Sequence, residues 1–166
     1  MPRSELYDTL AKNISRKYII QQGLNLARMN GNPFDIRVLM HKPENRWQIS
    51  GWLARVGRNK NQIVTNIVRG AKPFPLEKAL ESVTARHPVK IAGELADKCH
   101  QIASILGTHF ELRILALDMA VDQEGKIWFI EMNSDPMFRK MFRQLGDPEM
   151  FRRIITTHKY IMEKYK

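Results

Sequence analysis

The stretch LDMAVDQEGKIWFIEMNSDP (residues 117–136) constrains the fold more than any other part of the chain. Two apolar runs flank the turn signal DQEG, in which glycine accepts a positive φ, so we predict an antiparallel hairpin. If residues 124–125 form a two-residue tip, Asp118 lies directly opposite Glu131. Like charges at opposed positions of two strands destabilise the pair. The sequence therefore places two carboxylates where they repel each other.

Three oxygen-bearing side chains of this hairpin share one face of the predicted sheet, because side chains alternate faces along a strand. They are Asp118, Glu131 and Asn133, and the same alternation adds five apolar residues to that face: Ile114, Ala116, Ala120, Ile127 and Phe129. If this face is shielded from water, the two carboxylates need a proton or a cation to relieve their repulsion. Mg²⁺ takes oxygen ligands and leaves positions open for phosphates, so we predict a magnesium site here. The alternative is a solvated face on which the carboxylates repel weakly through water.

The bulk composition indicates one globular domain. The chain has 166 residues, of which 43% are hydrophobic and 27% charged, and no internal repeat or low-complexity linker divides it. We therefore expect a single domain over residues 1–166. Nothing at the N-terminus resembles a signal peptide, and no apolar run reaches membrane-spanning length. Cys99 is the only cysteine, which fits a reducing compartment, so we expect a cytoplasmic protein that does not contact a membrane.

The charge balance indicates an anionic partner. The net charge is +10, which suits nucleotide phosphates, an acidic substrate or nucleic acid, with a basic solvated surface as the alternative. The sequence contains no zinc-finger spacing, RNA-binding aromatic motif or continuous basic helix. Nucleic acid therefore ranks behind phosphate and carboxylate ligands.

The periodicity of the chain predicts an α+β fold, an antiparallel sheet flanked by helices. The predicted segments are a helix from Ser4 to about Arg16, a strand at 18–22, two antiparallel strands at 34–42 and 46–58, a loop at 59–75, helices from near Leu76 and over 89–105, the hairpin, and a last helix that begins at 147–149. The loop mixes Asn, Gly, Lys and Arg with little periodicity, which is typical of a ligand-facing segment.

Several short motifs resemble those of one enzyme family. An aspartate followed thirteen residues later by Glu-x-Asn on a hairpin is similar to the magnesium site of the ATP-grasp ligases. Upstream, YIIQQGLNL resembles the strand on which these ligases hold adenine. FDIRVLM resembles their Asp-Ile-Arg strand, and IVTNIVRGA their asparagine-containing loop. Together, over residues 18–139, the motifs resemble the YheC/YheD family of spore-coat-associated ATP-grasp proteins.

The resemblance implies roles for individual residues. Asp118, Glu131 and Asn133 would bind Mg²⁺, with Glu131 bridging two ions that also hold the phosphates of ATP. Arg37 would face the transferred phosphoryl group or the substrate carboxylate; its alternative is an exposed strand arginine paired with an acid. The remaining residues would line the nucleotide pocket: Gln21, Gln22, Leu24, Arg55, Asn66, Arg69 and Ile130. For these the alternatives are a solvated basic surface or ordinary core packing.

The resemblance also implies a reaction and a domain organisation. The reaction is that of an ATP-dependent carboxylate–amine ligase that forms an acyl phosphate. Only about seventeen residues precede YIIQQ, so we expect the chain to correspond to the C-terminal half of the fold. It would then be a fragment, a truncated paralogue, or a subunit completed by a partner chain or a second copy. The alternative is a non-catalytic structural or interaction module associated with the spore coat.

The histidines and the cysteine carry no predicted chemistry. His41, His87, His100, His109 and His158 lack metal-ligand spacing, so we predict surface or capping positions for them. Helix amphipathicity accounts for Cys99, and the Met and Phe residues between 137 and 151 are predicted to pack in a core or an interface.

Overall fold

The computed structural model describes residues 21–61 and 70–165, together with helical residues 5, 8, 9 and 11. Six antiparallel strands form one sheet in the order β4-β3-β2-β5-β6, and β1 pairs with the start of β2. The strands are β1 (Arg28–Met29), β2 (Asn32–His41), β3 (Gln48–Val56), β4 (Lys72–Phe74), β5 (Ile114–Val121) and β6 (Ile127–Asn133). Helices flank this sheet, which confirms the predicted fold class.

The described helices follow the predicted order, with one addition. They are α1 (Leu76–Leu80), α2 (Pro88–His109), α3 (Arg139–Leu145) and α4 (Pro148–Lys164). Asp147 caps α4 as predicted, because its carboxylate accepts a hydrogen bond from the backbone N–H of Met150 at 2.9 Å. Helix α3 and the short strands β1 and β4 were not predicted. No helix in the described part of the chain is long and apolar enough to cross a lipid bilayer.

Two predicted segments lie partly outside the described residues. These are the first helix, of which four helical positions are described, and the loop predicted at 59–75, of which residues 62–69 are not described. The strand predicted at 18–22 begins outside the described residues, and its last two, Gln21 and Gln22, are irregular rather than extended in a sheet.

One face of the sheet, here called the apolar face, is packed against α1 and α2. Along β2 its residues are fully buried: Phe34, Ile36, Val38 and Met40. From α2 they meet Leu95 and Cys99, so the cysteine is a core residue, as predicted. Burial of each large aliphatic or aromatic side chain stabilises the fold by roughly 1.5–3 kcal/mol. Most of the hydrophobic stabilisation therefore lies on this face.

The opposite face, here called the mixed face, combines apolar and charged residues. Its apolar half packs under α3 and α4, with Leu39 of β2 in the same cluster as Phe142 and Ile154. Gly51 of β3 permits the close contact, because a Cβ there would lie 2.6 Å from Cδ1 of Ile154. The other half of the face carries Asp35 and the charged site described below.

Histidine 41 ends β2 on the mixed face, and its burial contradicts the predicted surface or capping position. The side chain is 0% exposed, and its Nδ1 lies 2.7 Å from Oγ of Ser50. The ring centroid of His158 lies 5.9 Å away. Burial, reinforced by the nearby His158, lowers the pKa of His41 to about 4. His87, in contrast, caps α2 as predicted.

The β5–β6 hairpin has the predicted pairing at its centre but a different tip. Asp118 lies opposite Glu131, which confirms the predicted register there. The tip is longer than predicted, because the backbone N–H of Asp122 donates to the carbonyl of Lys126 at 3.0 Å. A bulge next to Asp118 leaves Ile130 without a cross-strand partner and restores the register.

The bulge changes the face on which two residues lie. Ile127 pairs with Val121 and packs in the apolar core, and Phe129 pairs with Met119 on the same face. The prediction that Ile127 and Phe129 share the face of Asp118 was therefore wrong, because the extra residue shifts the alternation by one.

Candidate nucleotide and metal site

The candidate site is centred on Asp118, in the middle of β5. Antiparallel pairing places Arg37 of β2 directly opposite it on one side and Glu131 of β6 on the other. Asp118 is 4% exposed, whereas Glu131 is exposed to solvent. The two predicted carboxylates are therefore neighbours, but they lie in different dielectric environments.

Arg37 forms a close ion pair with Asp118. Its Nε lies 2.7 Å from Oδ1, and its Nη2 donates a hydrogen bond of 3.2 Å to Oδ2. The Nε–Oδ1 contact lacks hydrogen-bond alignment, so both of these buried atoms are without a directed hydrogen bond. Burial lowers the pKa of Arg37, and the attraction of Asp118 only partly offsets this. Nε of Arg37 and Oδ1 of Asp118 are therefore close enough for strong charge attraction, but they are not aligned as a hydrogen bond.

Arg55 of β3 holds the other oxygen of Asp118. It pairs with Asp35 through two hydrogen bonds of 2.6 Å, from Nε to Oδ1 and from Nη2 to Oδ2. The same Nη2 lies 3.0 Å from Oδ2 of Asp118. Although burial alone would lower it, the pKa of Arg55 is raised, because Asp35 and Asp118 stabilise the charged form. Arg55 is therefore fixed between two carboxylates.

The two guanidinium groups offset the repulsion that the sequence predicted between Asp118 and Glu131. A buried carboxylate needs a counter-charge, and Arg37 and Arg55 supply it within the protein. Cationic groups within the protein thus offset part of the repulsion for which the sequence predicted a proton or a cation. The negative charge of Glu131 also acts on Arg37, where it opposes the lowering of the pKa by burial. Arg37 therefore interacts electrostatically with both carboxylates.

The predicted metal ligands fit Mg²⁺ in donor type. Asp118, Glu131 and Asn133 supply oxygen atoms on neighbouring strand positions, and Oδ1 of Asp118 has no directed hydrogen bond. The amide oxygen of Asn133 accepts one bond, from the backbone N–H of Asp135 at 2.9 Å. Within the described residues, no cluster of three or more His, Cys, Asp or Glu side chains could hold a metal. The metal assignment thus stays a prediction that rests on two carboxylates and one amide.

The other predicted ligand residues are spread more widely. Gln21 and Gln22 are exposed, and Leu24 is half-buried, in the segment that leads to β1. This segment reaches the hairpin, because Leu26 forms an isolated bridge with Asp122. Ile130 is half-buried at the bulge. Asn66 and Arg69 lie outside the described residues, so their predicted contacts with the nucleotide stay predictions.

The sequence assigned no role to Asp35, although it is the aspartate of the motif FDIRVLM, or to Arg86. Asp35 precedes Arg37 by two residues and so shares its face, and it lies opposite Arg55 across β2 and β3. That alternation was the signal that could have identified it. Arg86 donates a 3.0 Å hydrogen bond to the carbonyl of Gly125 and also pairs with Glu94. It thereby attaches the hairpin tip to α2.

The antiparallel sheet with flanking helices is consistent with an ATP-grasp domain. A model of YheC/D-like ATP-grasp proteins matches residues 2–161, so the chain belongs to this family. It is 29% identical over 122 residues to the endospore coat-associated protein YheD of Bacillus subtilis (strain 168), covering 72% of this chain. It is 25% identical over 134 residues to the endospore coat-associated protein YheC of the same organism, covering 80% of this chain. The matched segments span 26% of YheD and 37% of YheC.

Proposed function

We propose that this chain is the ATP- and magnesium-binding part of an ATP-grasp ligase that joins a carboxylate to an amine through an acyl phosphate. The observation that carries the proposal is the arrangement around Asp118, with Glu131 on one neighbouring strand and Arg37 on the other. A cation site beside an arginine suits the phosphate groups of a nucleotide. Family membership supports the ATP-binding, ligase-like fold.

The proposed reaction has two steps. An oxygen of the substrate carboxylate attacks the γ-phosphorus of ATP, and a C–O–P bond forms as the bond to ADP breaks. The nitrogen of the amine then attacks the acyl carbon and loses a proton, and phosphate leaves with the original carboxylate oxygen. Phosphoryl transfer depends mainly on positioning and electrostatic stabilisation.

Different residues of the chain position and stabilise the reacting groups. Arg37 contacts the transferred phosphoryl group or the substrate carboxylate and neutralises its oxygens. Asp118, Glu131 and Asn133 hold Mg²⁺, which when bound supplies further positive charge beside the phosphates. Gln21, Gln22, Leu24 and Ile130 border the nucleotide, together with Asn66 and Arg69.

The test combines binding with isotope transfer. Calorimetry measures binding of Mg-ATP to the full chain, and a coupled assay measures ADP release with pooled amino-acid and peptide acceptors. The substrate whose carboxylate is activated in the reaction is then labelled with ¹⁸O in that carboxylate. We expect the released phosphate to carry one labelled oxygen, since the acyl-phosphate route transfers that atom.

A matched pair of variants gives the control. Glu131→Gln removes a predicted ligand, whereas Asp97→Asn changes an exposed acid on α2. Only the first should lose Mg-ATP binding and ADP release. A full-length gene product that binds Mg-ATP but releases no ADP with any acceptor would contradict the catalytic proposal.

A second candidate function is a non-catalytic module associated with the spore coat. The names of the two relatives and several exposed apolar side chains, among them Phe110, Met137 and Met162, favour it. Such a module would associate with itself or with a coat protein without needing ATP. Light scattering over a range of concentrations tests self-association, and a monomer at every concentration with intact Mg-ATP binding would count against this candidate.

A further inference from the structure

We propose that the two arginines of the site have different roles. Asp35 and Arg55 are positioning residues that fix Asp118, whereas Arg37 is an exchangeable counter-ion that leaves Asp118 when Mg²⁺ binds. The proposal rests on the proposed function, because it assumes that Asp118 is a metal ligand. The two arginines, which the sequence motifs do not distinguish, therefore have separate tasks. In this arrangement Arg55 does not contact the nucleotide.

The first observation is the difference in how each arginine is held. Arg55 makes two hydrogen bonds of 2.6 Å to Asp35 and also lies 3.0 Å from Asp118. Arg37 has one ion-pair partner among the described residues, Asp118. Release of Arg55 would break contacts with two buried carboxylates, and release of Arg37 would break contacts with one. Arg37 is therefore the easier group to displace.

The second observation is the geometry of the contact that would be exchanged. The contact between Nε of Arg37 and Oδ1 of Asp118 is short, 2.7 Å, yet neither atom has a directed hydrogen bond. A divalent ion could take this oxygen while the departure of Arg37 breaks a single directed bond, the 3.2 Å hydrogen bond from its Nη2 to Oδ2 of Asp118. Oδ2 of Asp118 would stay with Arg55, so the carboxylate keeps its place during the exchange.

The third observation is the position of Glu131. It lies opposite Asp118 on the strand beyond it, so Arg37, Asp118 and Glu131 follow one another across three neighbouring strands, with the guanidinium next to the two carboxylates of the predicted metal site. Arg37 and Mg²⁺ therefore compete for the same negative charge. Once displaced, the guanidinium is available to the phosphate or carboxylate that arrives with the nucleotide and substrate. Exchange thus connects metal binding with substrate binding.

Nuclear magnetic resonance of the arginine side chains tests the exchange directly. The Nε–H signals of the ¹⁵N-labelled chain are assigned with the variants Arg37→Lys and Arg55→Lys. Mg²⁺ is then added alone. We expect the Arg37 signal to move as it leaves Asp118 and the Arg55 signal to stay in place. Movement of the Arg55 signal with a stationary Arg37 signal would overturn the proposal.

Manganese binding supplies a second, independent measurement. Mn²⁺ stands in for Mg²⁺, and electron paramagnetic resonance counts the free ion. Arg37→Met removes the competing guanidinium and keeps the apolar stem of the side chain. We expect roughly tenfold tighter Mn²⁺ binding, because in this variant the ion does not have to displace a charge-assisted contact from Asp118. Asp35→Asn frees Arg55 to compete and should weaken binding by a similar factor. Arg37→Gln and Asp35→Glu serve as second variants if either protein fails to fold in circular dichroism.

Glu131→Gln separates failure of this inference from failure of the proposed function. If wild type, Arg37→Met and Glu131→Gln all fail to bind Mn²⁺, the metal site itself is wrong and the proposed function fails. If Glu131→Gln abolishes binding but Arg37→Met binds no more tightly than wild type, the metal site survives and the exchange is overturned. Tighter binding by Arg37→Met together with loss in Glu131→Gln supports both.

Discussion

Adjacent residues of one strand lie on opposite faces of the sheet, and the two faces are stabilised by different interactions. Ile36 faces α1 and α2 in a fully apolar core, and its neighbour Arg37 faces a buried network of charges. The apolar face is stabilised by packing that needs no directed contact. The mixed face depends on ion pairs, each of which must offset the cost of removing charge from water. The same strand therefore supplies stability on one side and a candidate binding site on the other.

This difference predicts how each face responds to substitution. On the apolar face the loss depends on volume, because a cavity is left behind. On the mixed face it depends on whether a buried charge keeps its partner. Four predictions test the contrast, from the largest expected effect to the smallest.

Asp118→Asn should have the largest effect. It removes the carboxylate shared by Arg37 and Arg55 and leaves buried positive charge with too few partners. We expect the free energy of unfolding to fall by roughly 3–5 kcal/mol, measured by urea denaturation. Asp97→Asn, exposed on α2, is the control and should stay within about 0.5 kcal/mol of wild type. A gain in stability would mean that repulsion from Glu131 dominates at this site.

Leu117→Ala tests the other face at the neighbouring position. Leu117 is 0% exposed and pairs with Val38 in the apolar core. We expect a loss of roughly 2–5 kcal/mol through lost burial and a cavity. Mn²⁺ affinity of the folded protein should be unchanged, because the side chain lies on the opposite face from Asp118. A large change in metal affinity would show that the two faces are not independent.

His41 tests the mixed face through pH. Its pKa is about 4 in the folded protein, below the ordinary value of 6.5, so its contribution to stability is present above pH 6.5 and is lost as pH falls through 4. Between pH 7 and pH 5 this amounts to about 2 kcal/mol from the linkage relation. Wild type should lose that much more stability than His41→Asn over this interval in parallel denaturation curves. Identical pH profiles would mean that His41 titrates normally.

Glu131→Gln should have the smallest effect on the metal-free protein. Glu131 is exposed, so its removal should change the free energy of unfolding by less than about 0.5 kcal/mol. The stabilisation that wild type gains from Mg²⁺ in thermal melts should nevertheless disappear, since binding to the folded state is what raises stability. A retained magnesium shift would exclude Glu131 as a ligand.

The central pairings of the fold followed from the sequence because alternation is a strong local signal. The β2–β3 pair and the opposition of Asp118 and Glu131 were both predicted from it. Asp147 and Pro148 likewise identified the start of α4, through cap chemistry. The elements that were missed are short: β4 has three residues and α3 has seven, too few for a periodic pattern.

The environment of Asp118 could not be predicted in the same way. Asp35, Arg37 and Arg55 come from two strands, and their meeting with Asp118 requires the order of three strands in the sheet. Local pattern does not provide that order. The sequence therefore identified the carboxylate, its repulsive neighbour and both arginines as site residues, but it did not predict that Arg37 and Arg55 together neutralise Asp118.

The bulge at Ile130 has a consequence for the length of this hairpin in related proteins. A two-residue tip with regular strands and the observed longer tip with a bulge bring the same two residues, Asp118 and Glu131, face to face. A one-residue deletion at the tip alone would disturb the pairing. A variant with a shorter tip should therefore also have lost the bulge, and an insertion at the tip should be accompanied by a new one. Hairpin length and strand regularity would then vary together among homologues, while the carboxylate pair keeps its alignment.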